Sequence, residues 1–190
     1  LDDIISDKGI TARAVIGIFP AVSSNESVFT ESFEFNFPRQ LIDKGKDSYQ
    51  YSLADFIAPK DDFIGLFAVT TGHGLEKFVE KYESENDDYN AIMVKILADR
   101  LVEALAERMH ERVRKEFWAY ADHEVLKNEE LLKEKYQGIR PAPGYPACPD
   151  HSEKDKIWDI LNVEGNAGII LTETRAMYPV ASVCGWYFSH

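Results

Sequence analysis

The sequence predicts an α+β fold: one domain in which a mostly antiparallel, twisted β-sheet packs with a long central helix and several shorter helices. Three observations predict it. Apolar-rich runs at Ala12–Ala21, Ser27–Phe37, Asp61–Gly72 and Ala181–His190 have the length and patterning of strands. The stretch from Tyr89 to about Trp118 contains neither glycine nor proline. No repeat, low-complexity tract or change of composition divides the chain.

Ala12–Ala21 reads as a buried strand stopped by Pro20. "SSNES" is a turn, and Ser27–Phe37 alternates apolar and polar as a half-buried strand. Lys44–Gln50 is a charged loop, and Ser52–Pro59 is a short helix with a serine N-cap and a proline stop. Asp61–Gly72 is the strongest strand, with Gly72 and Gly74 bounding a turn at its end. Leu75–Glu85 is amphipathic, and Asn86 or Asp87 caps the next helix. That long helix spans about 45 Å at ~1.5 Å per residue. Met93, Leu97, Leu101, Leu105, Met109, Val113 and Phe117 recur every fourth position along it, with Ile92, Ile96 and Val102 widening the stripe. The first half is expected to be buried on most sides and the second, more charged half to be exposed. Asn128–Tyr136 and Ser152–Leu161 are shorter helices with Asn128 and Ser152 as N-caps. Gly168–Thr174 and Ala181–His190 are strands joined by a loop at Arg175–Pro179.

The 190 residues are 45% hydrophobic and 12% aromatic, enough for a real core. A net charge of −12 argues against nucleic acid and against anionic membrane surfaces, both of which need a basic face. No apolar run reaches the length of a membrane span. The opening "LDDIISDKGI" has neither the basic start nor the apolar stretch of a signal peptide. It also lacks an initiator Met, and reads as a piece of something longer. Two cysteines make no disulfide framework, so a reducing cytoplasm is the expected compartment.

"RPAPGYPACP", Arg140–Pro149, holds four of the eight prolines. Each biases the residue before it to extended geometry, which affects Arg140, Ala142, Tyr145 and Cys148. The strip is either a rigid connector or a backbone template for a ligand. Gly144 lets a flat group approach the main chain, Tyr145 offers a ring, and Arg140 offers a planar fork of donors matched to a carboxylate or phosphate. Rigidity also lowers the ordering entropy lost on binding.

"GIRPAPGYPACPDHSEK" resembles the activation domain of cobalamin-dependent methionine synthase, as do "DDYNAIMVKILADRL", "HERVRKEFW", "ASVCGWYFSH", "LADFIAP" and "DDFIGLFAVT". The resemblance covers nearly the whole chain, 1–190, and is weakest in the first forty residues. It implies a domain that binds S-adenosylmethionine (AdoMet) and docks over the corrin when cobalamin has oxidised to cob(II)alamin. An electron from flavodoxin or another reductase and a methyl group from AdoMet then restore methylcobalamin. The cobalamin is held by another domain of the parent enzyme. That enzyme passes methyl groups from methyltetrahydrofolate to homocysteine, and this domain is not catalytic alone.

Carried over by residue, Arg140 holds the methionyl carboxylate, a charge-assisted bond worth roughly 1.5–3 kcal/mol. Ala142 and Gly144 offer main-chain groups to the adenine, and Tyr145 lines the pocket. Glu103 lies in a helical column with Asp99, Glu107 and His110. It either faces the cationic amine or sulfonium of AdoMet or belongs to a solvated acidic face. The resemblance further implies segments on both sides of this stretch, one with an aspartate and one with a tyrosine for the ligand. A second reading stays open: a module that caps a cobalamin domain or recruits a reductase without binding AdoMet.

Other signals are weaker. Cys148, Asp150 and His151 suggest a thiol nucleophile and base, but nothing places an oxyanion hole beside them. Cys148 and His151 have an acceptable spacing for zinc, but Cys184 and His190, the second pair, are irregular. "VTTGHGLE" lacks the full phosphate-loop patterns and reads as a tight turn with His73 exposed. No Asp-x-His-x-x-Gly corrinoid signature is present.

Overall fold

A computed structural model describes residues 9–40 and 49–190. The expected charged loop at Lys44–Gln50 lies mostly outside the described residues, as does the opening segment up to Lys8. The elements run β1 (Thr11–Ser24), β2 (Ser27–Phe29), β3 (Glu34–Asn36), a 3-10 turn (Leu53–Phe56) and β4 (Asp62–His73). Helices α1 (Leu75–Ser84) and α2 (Asp88–Arg112) follow, and α2 continues as a π-helical turn over Val113–Phe117. Then come α3 (Asn128–Leu131), α4 (Glu153–Leu161), α5 (Val163–Ala167), β5 (Ile170–Leu171), β6 (Met177–Tyr178) and β7 (Ser182–Tyr187).

The main sheet is antiparallel in the order β3-β2-β1-β4-β7, and β5 and β6 form a separate hairpin. Successive side chains of β4 and β7 alternate between two cores, as strand geometry requires. Ile64, Leu66, Ala68, Cys184 and Trp186 face a core shared with α4 and α5. Phe67, Val69, Val183 and Tyr187 face a core shared with α2. Cover on both faces is why β4 reads as a continuous apolar run.

Several expectations need correction. Pro20 does not stop β1. The strand pairs with β4 through Pro20 and Ala21, and β2 joins only from Val22 onward. At Pro20 the strand therefore has one partner, where a missing N–H is tolerated. Nor is β1 buried: α2 sits over β4 and β7, and between Thr11 and Ser24 only Ala21 is fully enclosed. Ser27–Phe37 is a hairpin and not one strand. The Thr30 hydroxyl accepts from the Phe33 N–H and donates to its carbonyl, closing the turn. The Ser52 reading holds: its hydroxyl accepts from Ala54 N–H while Asp55 accepts from Ser52 N–H.

Asp87 caps α2 through the Asn90 N–H, but the buried face differs from the fourfold column. It consists of Ala91, Val94, Ala98, Val102, Ala106, Met109 and His110, whereas Ile92, Ile96 and Leu101 are exposed. A step of four residues overshoots a full turn by about 40°, so a column of seven winds around the helix. Small alanines bring the helix close to the sheet. The second half is the better buried, with His110 and Arg114 wholly enclosed. Helix α3 is a single turn with Lys127 at its N-cap, and its Leu132 flank is exposed. Ser152 sits at the N-cap of α4 without a side-chain cap. Its own N–H donates to Asp150. Met177–Tyr178, expected in a loop, pairs with Ile170–Leu171 across a turn closed by Thr172. Among the described residues no helix is long and apolar enough to cross a membrane.

Candidate functional site at the sheet edge

Strand β7 is an edge, and the proline strip covers half of it. Ile139 and Phe188 exchange backbone hydrogen bonds, and Trp186 N–H donates to the Pro141 carbonyl at 3.0 Å. Gly185 permits this approach, because a Cβ there would overlap the Pro141 oxygen. Beyond Pro141 the strip leaves β7 and folds into a tight loop. Gly144 N–H donates to the Cys148 carbonyl and Cys148 N–H to the Tyr145 carbonyl. Gly144 has φ +95°, a left-handed value natural only to glycine. Cys148 anchors the loop by burying its side chain in the α4 core.

Where strip and strand diverge, a cleft of about 630 Å³ opens. Glu103, Arg140, Ala142, Gly144 and Tyr145 all line it. Glu103 is exposed on α2 and forms no ion pair among the described residues. Arg140 is largely buried, and its Nη1 donates to the Ala106 carbonyl at 3.3 Å and to Glu107 Oε2 at 3.2 Å. Tyr145 is 66% exposed at the rim. The helical column of Asp99, Glu103, Glu107 and His110 does not act as a unit. Asp99 lies in a separate apolar groove, Glu103 in the cleft, Glu107 on Arg140, and His110 in the core.

Sequence reasoning missed the far wall. Phe67, Lys154, Met177 and the β7 residues Ser182, Val183 and Cys184 also line the cleft. All but Met177 lie in stretches that carry the resemblance, but nothing local assigns them to a ligand; they meet only through β4–β7 pairing and the packing of α4. It also missed what stands behind Arg140. His110 stacks on Tyr187 with ring centroids 5.1 Å apart, and Tyr187 stacks on Phe67 at 4.6 Å. Arg114 sits over the Tyr136 ring at 4.2 Å, and its Nε donates to Glu124 at 2.9 Å. Burial, with the charges of Arg114 and Arg140, pushes the His110 pKa down to about 3, so its imidazole is neutral.

The weaker signals dissolve. The Cys148 thiol is enclosed, and burial, with Glu153 and Asp150 nearby, pushes its pKa up to about 12. His151 is exposed and stands over Gly144. Cys184 is also buried and unpaired. Among the described residues no three His, Cys, Asp or Glu side chains converge as a metal would require. His73 is not exposed; it is half-buried with Nε2 2.7 Å from the Ala167 carbonyl.

Arrangement and donor set suit a ligand with a carboxylate for Arg140, a cationic centre for Glu103 and a flat group for the backbone at Gly144. Comparison with known proteins gives two findings. A family described as "Vitamin B12 dependent methionine synthase, activation domain" matches residues 1–190. A crystal structure of the MetH reactivation domain bound to AdoHcy is 49% identical, with a TM-score of 0.95, over all of this chain. The chain spans 62% of the length of that relative.

Proposed function

The chain belongs to the family of activation domains of vitamin B12 dependent methionine synthase, and from that premise we propose that it binds AdoMet in the cleft at the β7 edge. There it holds the methyl donor for reductive methylation of cob(II)alamin within the parent enzyme. The observation that carries this reading is the convergence of Glu103, Arg140, Ala142, Gly144 and Tyr145 on one cleft. The solved relative was crystallised with AdoHcy, the demethylated form of the same molecule.

The residues present fit the ligand. Arg140 takes the methionyl carboxylate on the guanidinium edge that Glu107 does not occupy. Glu103 offsets the cationic amine or sulfonium. Ala142 and Gly144 present main-chain groups to the adenine, close enough because Gly144 has no Cβ. Tyr145 closes the rim. AdoMet, when bound, supplies the methyl group; the protein's part is to bind and orient it and to limit water.

The partner of this reading is the cobalamin domain of the same enzyme, which holds the cobalamin that this domain meets on docking. The electron donor is flavodoxin or an equivalent reductase, and the compartment is the cytoplasm, in keeping with two unpaired thiols. The docking alternative has one observation in its favour. Leu75, Val79, Tyr178, Pro179 and Val180 line an apolar groove of about 430 Å³ apart from the cleft, with Val180 77% exposed. Both roles fit one domain.

Calorimetric titration of AdoMet and AdoHcy into the chain tests the proposal. Saturable one-to-one binding of both is expected. No binding by this chain or by the intact parent enzyme's domain would leave the docking role alone.

A further inference from the structure

Lys154 is the one cation of the cleft wall besides Arg140 among the described residues, and it is only 6% exposed. Burying an ammonium costs free energy unless it is paired or fully hydrogen-bonded. Its Nζ donates to the Arg175 carbonyl at 3.0 Å. An ammonium has three donors, so two remain.

The neighbouring carboxylates are committed elsewhere. Both oxygens of Glu153 accept from Lys156 at 2.8 and 2.9 Å. Both oxygens of Asp155 accept from Arg175 at 2.8–3.1 Å. Asp150 accepts from the Ser152 N–H. Lys154 forms no ion pair among the described residues.

Position says which part of a ligand it meets. The cleft straddles the β7 edge. Arg140, tied to Ala106 and Glu107, and Glu103, carried on α2 itself, stand on the α2 side. Lys154 enters from α4 on the opposite face, where Gly144 and His151 also stand. A molecule whose carboxylate lies on Arg140 and whose flat group lies against Gly144 brings that group to Lys154.

The geometry points to Lys154 as a further ligand-binding residue, which donates a hydrogen bond to an acceptor of the adenosyl group, a ring nitrogen or a ribose oxygen. This rests on the AdoMet reading above and extends it to the adenosyl end. The contact also completes the solvation of a buried charge, so it favours ligands that carry an acceptor there over those that do not.

The test is a double-mutant cycle by calorimetry, with the protein and the ligand each changed. Wild type, Lys154→Met and Lys154→Gln are titrated with AdoHcy and with its 3-deaza, 7-deaza, 2′-deoxy and 3′-deoxy analogues. Lys154→Met preserves the apolar stem and is expected to bind AdoHcy about tenfold more weakly, with Lys154→Gln between. With the 1-deaza analogue included so that every ring acceptor is covered, one analogue is expected to lose about tenfold in wild type and nothing further in Lys154→Met, and which one it is separates ring nitrogen from ribose. Thermal melts confirm that each variant is folded. AdoHcy binding equal in wild type and folded Lys154→Met would overturn this assignment alone, as would identical analogue losses in both proteins. No AdoHcy binding by wild type would overturn the AdoMet reading and the assignment with it.

Discussion

Arg140 Nη1 lies 3.2 Å from Glu107 Oε2, and the same nitrogen reaches the Ala106 carbonyl. The long helix and the proline strip are thereby latched at the mouth of the cleft. One edge of the guanidinium is held by the helix, which fixes the direction of the other. Arg140→Ala should weaken AdoMet about tenfold or more by calorimetry, given a charge-assisted bond of roughly 1.5–3 kcal/mol. Glu107→Gln keeps an acceptor but removes the charge and should cost about threefold. Wild-type affinity in Arg140→Ala would end its role.

Gly144 carries φ +95°, and a Cβ there would overlap the His151 ring. Gly144→Ala should lose ligand affinity and about 1–2 kcal/mol of stability. Adding His151→Ala relieves the overlap but not the φ strain, so denaturant titration should show partial recovery. Full recovery would mean that sterics alone govern this turn.

Cys148 is a packing residue. Native protein should react slowly with iodoacetamide at neutral pH, because burial holds the thiol protonated well above that pH. Cys148→Ser should leave AdoMet affinity within about twofold while costing about 1–3 kcal/mol for the buried hydroxyl. Loss of binding in a folded Cys148→Ser protein would contradict this.

His110 makes stability depend on pH. Its folded pKa is depressed from 6.5 to about 3, so between those values the unfolded chain takes up the proton that the folded chain refuses. Stability from this residue is intact above 6.5 and falls with pH, at up to about 1.4 kcal/mol per unit, until 3. Denaturation midpoints from 6.5 downward should show this slope, and His110→Phe should remove that share of it. An unchanged slope would mean that the ring protonates in the folded state.

Much of this was legible in the residues. The prolines and Gly144 marked the strip, because their backbone restrictions are local. Asp87 and Ser52 marked helix starts for the same reason. What was not legible depends on partners far along the chain. Thr30 turning a strand into a hairpin could have been suspected from its hydroxyl. That Pro20 lies where β1 has one partner could not. Lys154 ends the stretch that carries the resemblance, yet nothing local gave it a place in the cleft until β7 and Cys184 were set across from it. Glu103 and Asp99 are one turn apart in sequence, yet only the tertiary fold sends one to the cleft and the other to the groove.

The most direct test of the central claim, that the β7 edge cleft holds the ligand, is a backbone amide NMR titration of the labelled chain with AdoHcy. Saturable shifts are expected, concentrated at Ala142, Gly144, Tyr145 and Ser182–Cys184, and Arg140→Ala should need about tenfold or more AdoHcy to produce them. Shifts concentrated at Leu75, Val79 and Val180 instead, or saturable binding that leaves the strip unmoved, would contradict it.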